Sequence, residues 1–258
     1  MMDKIVIANI PIHLLTVNDL HHGIEKTVIN NEKRLFLHAN ARLIELANTQ
    51  EKWLQDFFNN EVEYVLCDGS GVQLAARLTG QRVPQKIAYN IWVWNFIRFA
   101  VQKKLSVYFL GAKETTLLEA IKKSKEFAPE INIIGHHHGF FDKKKNSPQN
   151  RIVLEHIRKA NPDILMVGFG MPVQERWIKE NFDQLQAKCI FSCGGAFDFI
   201  SGNKTVAPAI FRKLYLEWLF RFMLEPSRLF SRVTVSNMTF LKIVFQNLAR
   251  DRKLAKES

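Results

Sequence analysis

The sequence is poor in the residues from which a disulfide framework, a metal centre or a membrane span could be built. Its 258 residues include only three cysteines, Cys67, Cys189 and Cys193. An odd number, with no secretory leader in the charge-interrupted start Met1 to Ile12, points to a reducing cytosol. No run reaches the about 18 to 20 apolar residues that cross a bilayer. The best candidate, Val233 to Leu248, is interrupted by Ser236, Asn237, Lys242 and Gln246, so any membrane contact is expected to be peripheral. Neither H-x-x-x-H nor C-x-x-C frames the adjacent His136, His137 and His138, and Cys189 and Cys193 give only C-x-x-x-C, so no metal site is expected. D-x-D, the acidic pair with which many sugar transferases hold a divalent ion, is missing too. Internal repeats and low-complexity segments are absent, and the 47% hydrophobic and 24% charged composition excludes a disordered chain.

What the chain does carry is positive charge, unevenly placed. The formal net charge is +11, and Asn203 to Ser258 holds eleven Lys and Arg against four Asp and Glu. A basic tail of this kind attracts phosphate groups and anionic surfaces. The texture also changes after Gly202. Before it, short β-rich apolar runs (Ile5 to Ile10, Arg34 to Leu37, Tyr64 to Cys67, Val107 to Leu110, Ile131 to Ile134, Ile164 to Val167, Cys189 to Ser192) alternate with helix-period stretches at Val72 to Leu78, Thr115 to Lys125, Arg151 to Ala160 and Gln174 to Phe182. This alternation predicts an α/β fold, a Rossmann-like, mostly parallel sheet with helices on both faces. After Gly202 come two helical stretches, Ala209 to Leu224 and Ser227 to about Arg250, separated by Pro226. The reading is therefore an α/β catalytic domain over 1–202 and a basic helical appendage over 203–258.

In such sheets ligands gather at the carboxyl ends of strands, where loops and helix N-termini converge. The residues of interest follow strands. Asp68, after Tyr64 to Cys67, precedes Gly69-Ser70-Gly71: it reads either as a general base or as a cap on the next helix. Gly168-Phe169-Gly170, before Met171-Pro172-Val173-Gln174-Glu175, reads as a diphosphate cradle or as a plain strand-to-helix turn. Val173 stands where the third glycine of G-x-G-x-x-G would fall, which weakens a nicotinamide-dependent oxidoreductase as the alternative. Gly194-Gly195-Ala196-Phe197-Asp198 ends the last strand in the same way, with Asp198 either a ligand contact or a loop cap. In the tail, Arg221, Arg228 and Arg232 share one side of a helical reading among Leu214, Leu216, Trp218, Leu219, Phe220, Phe222, Met223 and Leu224. That mixture suits an interfacial helix, or a solvated basic face on a helix packed against the core. A non-catalytic nucleic-acid or membrane-binding module is the remaining alternative; the acids in the strand-end loops weigh against nucleic acid.

Taken together these pieces resemble the WecG/TagA/CpsF family of bacterial glycosyltransferases. The matching segments are Asp68-Gly69 with Ser70-Gly71-Val72, Arg82-Val83, Val167 to Glu175, Gly194 to Phe199 with Gly202, Ala207-Pro208, and Leu216 to Arg221 with Glu225-Pro226-Ser227-Arg228, in family order over nearly the whole chain. The resemblance implies an inverting, metal-independent transferase moving an N-acetylhexosamine or its uronic acid from a UDP-sugar to an undecaprenyl-diphosphate-linked sugar. Such enzymes serve teichoic acid, enterobacterial common antigen or capsule synthesis, and the implied location is the inner face of the cytoplasmic membrane. It makes Asp68 the base, places Gln174 and Glu175 at the substrate, and gives Arg221 and Arg228 to the acceptor diphosphate. Three positions depart from the pattern: His38-Ala39-Asn40 where the family often has Thr-x-Asn, Asn90 as the nearest match to an acid after Arg82-Val83, and Val206 in place of Arg before Ala207-Pro208. His38 is thereby a second candidate base, while Asn40, Gly69, Arg82, Asn90, Gly168, Gly170, Gly194, Gly195 and Asp198 are candidate substrate contacts. The donor sugar, the polymer and the oligomeric state stay open.

Overall fold

A computed structural model describes residues 3–213, 216–224 and 236–257, with the backbone alone at Lys213, Trp218, Arg221 and 251–257. Six parallel strands form the sheet: β3 (Arg34–Ala39), β4 (Tyr64–Cys67), β5 (Ser106–Gly111), β6 (Asn132–His137), β7 (Ile164–Gly168) and β8 (Cys189–Ser192), in the order β4-β3-β8-β7-β5-β6. The strands alternate as period-two geometry requires. In β3, Leu35, Leu37 and Ala39 enter one core and Phe36 the other.

Helices cover both faces. Over Phe36 lie α1 (Val17–Ile29), α5 (Tyr89–Gln102), α6 (Glu114–Phe127) and α9 (Ala196–Ile200). Over Leu35 and Leu37 lie α2 (Ala41–Asn48), α3 (Trp53–Asn60), α4 (Ser70–Leu78), α7 (Pro148–Ala160) and α8 (Val173–Asn181). The α/β expectation holds. From β5 the chain passes through α6 to β6 at one edge, whereas from β7 it passes through α8 towards β8 in the other direction. The direction of winding thus reverses between neighbouring β5 and β7, the topological switch point at which such sheets open a crevice.

Two expectations are corrected. The run Ile5 to Ile10 is not a strand of the parallel sheet: it folds back as an antiparallel hairpin, β1 (Lys4–Ile7) and β2 (Ile10–His13). Ala8 and Asn9 form its turn at φ 46 and 67, the left-handed pair of a tight hairpin. Asparagines fix that turn. Asn48 Nδ2 donates to the Ala8 carbonyl at 2.8 Å and Asn59 Nδ2 to the Asn9 carbonyl at 2.9 Å. The alternating isoleucines, which suited either arrangement, lie buried in the core that faces α2 and α3.

The second correction is that Ala209 to Leu224 is not one helix but α10 (Ala209–Lys213) and α11 (Glu217–Leu224). Leu216 separates them. Its N–H reaches back five residues to Phe211 O at 2.8 Å, and its carbonyl starts α11 by accepting from Phe220 N at 3.1 Å. Pro226 and the expected helix start at Ser227 lie outside the described residues. The last helix, α12 (Ser236–Glu257), packs on α2, with Phe240, Ile243 and Val244 buried in the core. Among the described residues no helix is long and apolar enough to cross a membrane.

Candidate active site

At the carboxyl edge the ends of β3 and β4 lie side by side. Asp68 N–H donates to the Ala39 carbonyl at 2.9 Å. Asn40 serves two loops: its Oδ1 caps α2 by accepting from Leu43 N at 3.1 Å, and its Nδ2 points to Asp68 Oδ2 at 3.5 Å. Asp68 itself is half-buried. Gly69 follows at φ 110, a backbone region that side-chain-bearing residues rarely adopt, and this turn leaves Asp68 at the strand end.

His38 lies on the other side of β3. It is 1% exposed, its ring packs against Tyr89 at 4.3 Å, and both ring nitrogens are buried without a hydrogen-bond partner. Burial drives its pKa down to about 3, against a smaller opposing pull from the backbone at Ser192 and Ile87. The imidazole is neutral and closed to solvent.

The segment after α4 is drawn in by Ile87 N–H, which donates to the Cys67 carbonyl at 2.9 Å. This brings half-buried Asn90, in the first turn of α5, towards the end of β4. It also brings Lys86, which sequence reasoning missed. Lys86 Nζ pairs with Glu217 Oε2 of α11 at 2.6 Å, and the Ser70 hydroxyl donates to the same oxygen at 2.5 Å. Arg82 is exposed and lines a cleft of ≈390 Å³ beside α4 with Gln73, Arg77, Val83 and Pro84.

The two glycine loops meet through Gln174. Fully buried, its Oε1 accepts from Gly170 N at 3.2 Å and from Gly194 N at 3.0 Å, while its Nε2 donates to Glu175 Oε1 at 2.8 Å. One side chain thus fixes the loops after β7 and β8 to each other. Glu175 is also fully buried, with Oε2 unpartnered. Burial raises its pKa to about 7, against the lowering effect of the Gln174 amide and of its own backbone N–H. Glu175 in turn braces the Gln174 amide that joins the loops. The glycines are required by proximity: a Cβ on Gly168 would stand 2.8 Å from the Gly194 carbonyl, and one on Gly111 would run into Gly168. Asp198 holds Lys204, a second cation that the sequence did not single out, at 2.5 Å. A Cβ on Gly195 would lie 3.2 Å from Lys204 Nζ, so this ammonium sits directly beside the loop.

Arg221 belongs to α11 by its backbone, and its side chain and all of Arg228 lie outside the described residues. All three cysteines are free and buried. No group of three or more His, Cys, Asp or Glu among the described residues is placed to hold a metal ion.

A parallel α/β sheet with a half-buried carboxylate and two joined glycine loops along its carboxyl edge is the arrangement of the Rossmann-like class, in which ligands gather at that edge. The chain belongs to the WecG/TagA/CpsF family of glycosyl transferases, whose model matches residues 5–254, and it is a glycosyltransferase. Among its relatives is the N-acetylglucosaminyldiphosphoundecaprenol N-acetyl-beta-D-mannosaminyltransferase of Staphylococcus aureus strain NCTC 8325, 29% identical over 191 residues, which are 74% of this chain and 72% of the relative. Proteins of the same name from strains COL and MRSA252 match at the same identity and coverage.

Proposed function

We propose that the protein transfers an N-acetylhexosamine, N-acetylmannosamine or its uronic acid, from a UDP-sugar to GlcNAc-diphosphoundecaprenol in cell-surface polysaccharide synthesis. The names of the Staphylococcus relatives support the acceptor and the mannosamine configuration. The observation that carries the chemistry is Asp68, held at a strand end beside Asn40 Nδ2. In this reading its carboxylate takes the proton of the acceptor hydroxyl as that oxygen bonds to the anomeric carbon; the bond from carbon to the UDP oxygen breaks in the same step, inverting the centre. His38, neutral and closed to solvent, is the poorer candidate for that proton.

The leaving diphosphate is placed against the joined loops Gly168 to Met171 and Gly194 to Gly195. Gly170 and Gly194 N–H are already engaged by Gln174, so the loops act chiefly by shape, and Lys204 supplies charge. Stabilisation of the leaving group by fixed cations and dipoles makes the reaction metal-independent in this proposal. Peripheral contact with the inner face of the cytoplasmic membrane is proposed through the C-terminal helices, where Met223, Leu224, Met238, Leu241 and Phe245 are exposed on a strongly basic segment. The test is a UDP-release assay with UDP-N-acetylhexosamines and a lipid-diphosphate-GlcNAc acceptor, the product anomer being read by NMR. Turnover with retained configuration, or none with any such donor, would refute the proposal.

A further inference from the structure

Lys86 and Glu217 stand 131 residues apart in the chain and meet beside the candidate base. Lys86 Nζ lies 2.6 Å from Glu217 Oε2 and 3.3 Å from the Ser70 hydroxyl, which itself donates to the same carboxylate oxygen at 2.5 Å. The pair is well shielded, with side chains 12% and 15% exposed. Ser70 is two residues beyond Asp68, and Lys86 is next to Ile87, whose N–H is tied to the Cys67 carbonyl. The charges of Asp68 and Lys86 act on the Cys67 thiol in opposite senses, which places the ammonium within electrostatic reach of the catalytic strand end.

The negative partner is supplied by the C-terminal segment rather than by the sheet. A shielded ammonium and a hydroxyl converging on one carboxylate oxygen offer the contacts that a diphosphate oxygen also needs, and a diphosphate brings more negative charge. We propose that Lys86 is a diphosphate-binding residue of the active site, and that Glu217 is the counter-ion it holds until the ligand takes that place. Binding then exchanges the carboxylate for a phosphate oxygen and releases α11 from its tie to Ser70 and Lys86. Substrate occupancy is thereby coupled to the position of the C-terminal helices. This inference rests on the proposed substrates, which offer two sources of the same chemistry: UDP of the donor and the lipid diphosphate of the acceptor.

Isothermal titration of the full chain with UDP, and separately with a soluble short-chain prenyl-diphosphate-GlcNAc, tests it. Lys86→Met is expected to weaken one of the two ligands by about tenfold or more, the loss of a hydrogen bond to a charged group. Glu217→Gln keeps an acceptor for Ser70 but removes the competing charge, and is expected to tighten the same ligand by about threefold or more. The ligand that responds identifies the source. A purely structural ion pair gives the opposite result for Glu217→Gln, unchanged or weaker binding of both ligands, and that result overturns the proposal. Should Lys86→Met fail to fold, the sign of the Glu217→Gln change decides alone. Wild-type protein that binds neither ligand overturns the proposed substrates and this role together, whereas a wild type that binds both while the variants stay silent overturns the role only.

Discussion

Replacing Glu175 by Gln tests how the loop support is built. The carboxyl is fully buried, and its pKa is raised from 4.5 to about 7, chiefly by burial. An unfolded chain releases this proton near the ordinary value, while the folded chain retains it to about neutrality. Between these two values the native state binds more protons than the unfolded state, so stability falls as pH rises and levels off above the folded pKa. At about 1.4 kcal/mol per pH unit, the gap corresponds to a loss of about 3 kcal/mol. Glu175→Gln removes the ionisation while its amide oxygen still accepts from Gln174 Nε2, now at 2.8 Å from Glu175 Oε1. Urea unfolding of both proteins at about pH 5, 6, 7 and 8 reads the difference, and the contributions of all other titrating groups cancel in the comparison. The variant should gain on the wild type progressively, by about 2 to 3 kcal/mol between pH 5 and pH 8, part of the gap lying below pH 5. Parallel stability curves would refute the reasoning, because they would mean that Glu175 reaches solvent or a cation when it ionises.

Further outcomes are expected at the base, the loops and the C-terminal helices. Asp68→Asn should preserve UDP affinity by calorimetry while turnover falls by about a hundredfold to ten-thousandfold, and near-normal turnover would move the base elsewhere; His38→Leu should by contrast stay within about tenfold of wild type in turnover, a larger loss making the imidazole part of the chemistry. Gln174→Ala, which strips a fully buried amide from both glycine loops, should cost about 2 to 4 kcal/mol in urea unfolding and raise KM for the sugar donor. EDTA should leave UDP release largely intact, and rescue of a chelated enzyme by magnesium or manganese would end the metal-independent reading. Changing Met238, Leu241 and Phe245 to Ser should leave urea unfolding within about 1 kcal/mol yet abolish sedimentation with anionic liposomes, whereas Phe240→Ala should cost about 3 to 5 kcal/mol, since Phe240 is buried against the core.

The positions of the six parallel strands and the loops that follow them were legible in the sequence, because apolar run length, flanking glycines and helix-period stretches are local properties. Asp68, the glycine loops and Gln174 were marked as residues of interest by the same local logic. Helix α5 was not, since Tyr89 to Gln102 is mostly apolar and its polar face is narrow, only Asn95, Arg98 and Gln102 beside an exposed Ile91. The order of the strands, and with it the switch between β5 and β7, depends on pairings between distant segments. So does the fate of Ile5 to Ile10, where alternation fits a sheet strand and a hairpin equally and the asparagine contacts to the turn decide. Tertiary structure alone closed His38 to solvent, buried Gln174 between the two glycine loops, and seated Lys204 beside Gly195. It also paired Lys86 with Glu217 across 131 residues. A side chain's chemistry is written at its own position, but its exposure and its partner are set by whatever the rest of the chain packs against it, and those contacts leave no periodic signal to read.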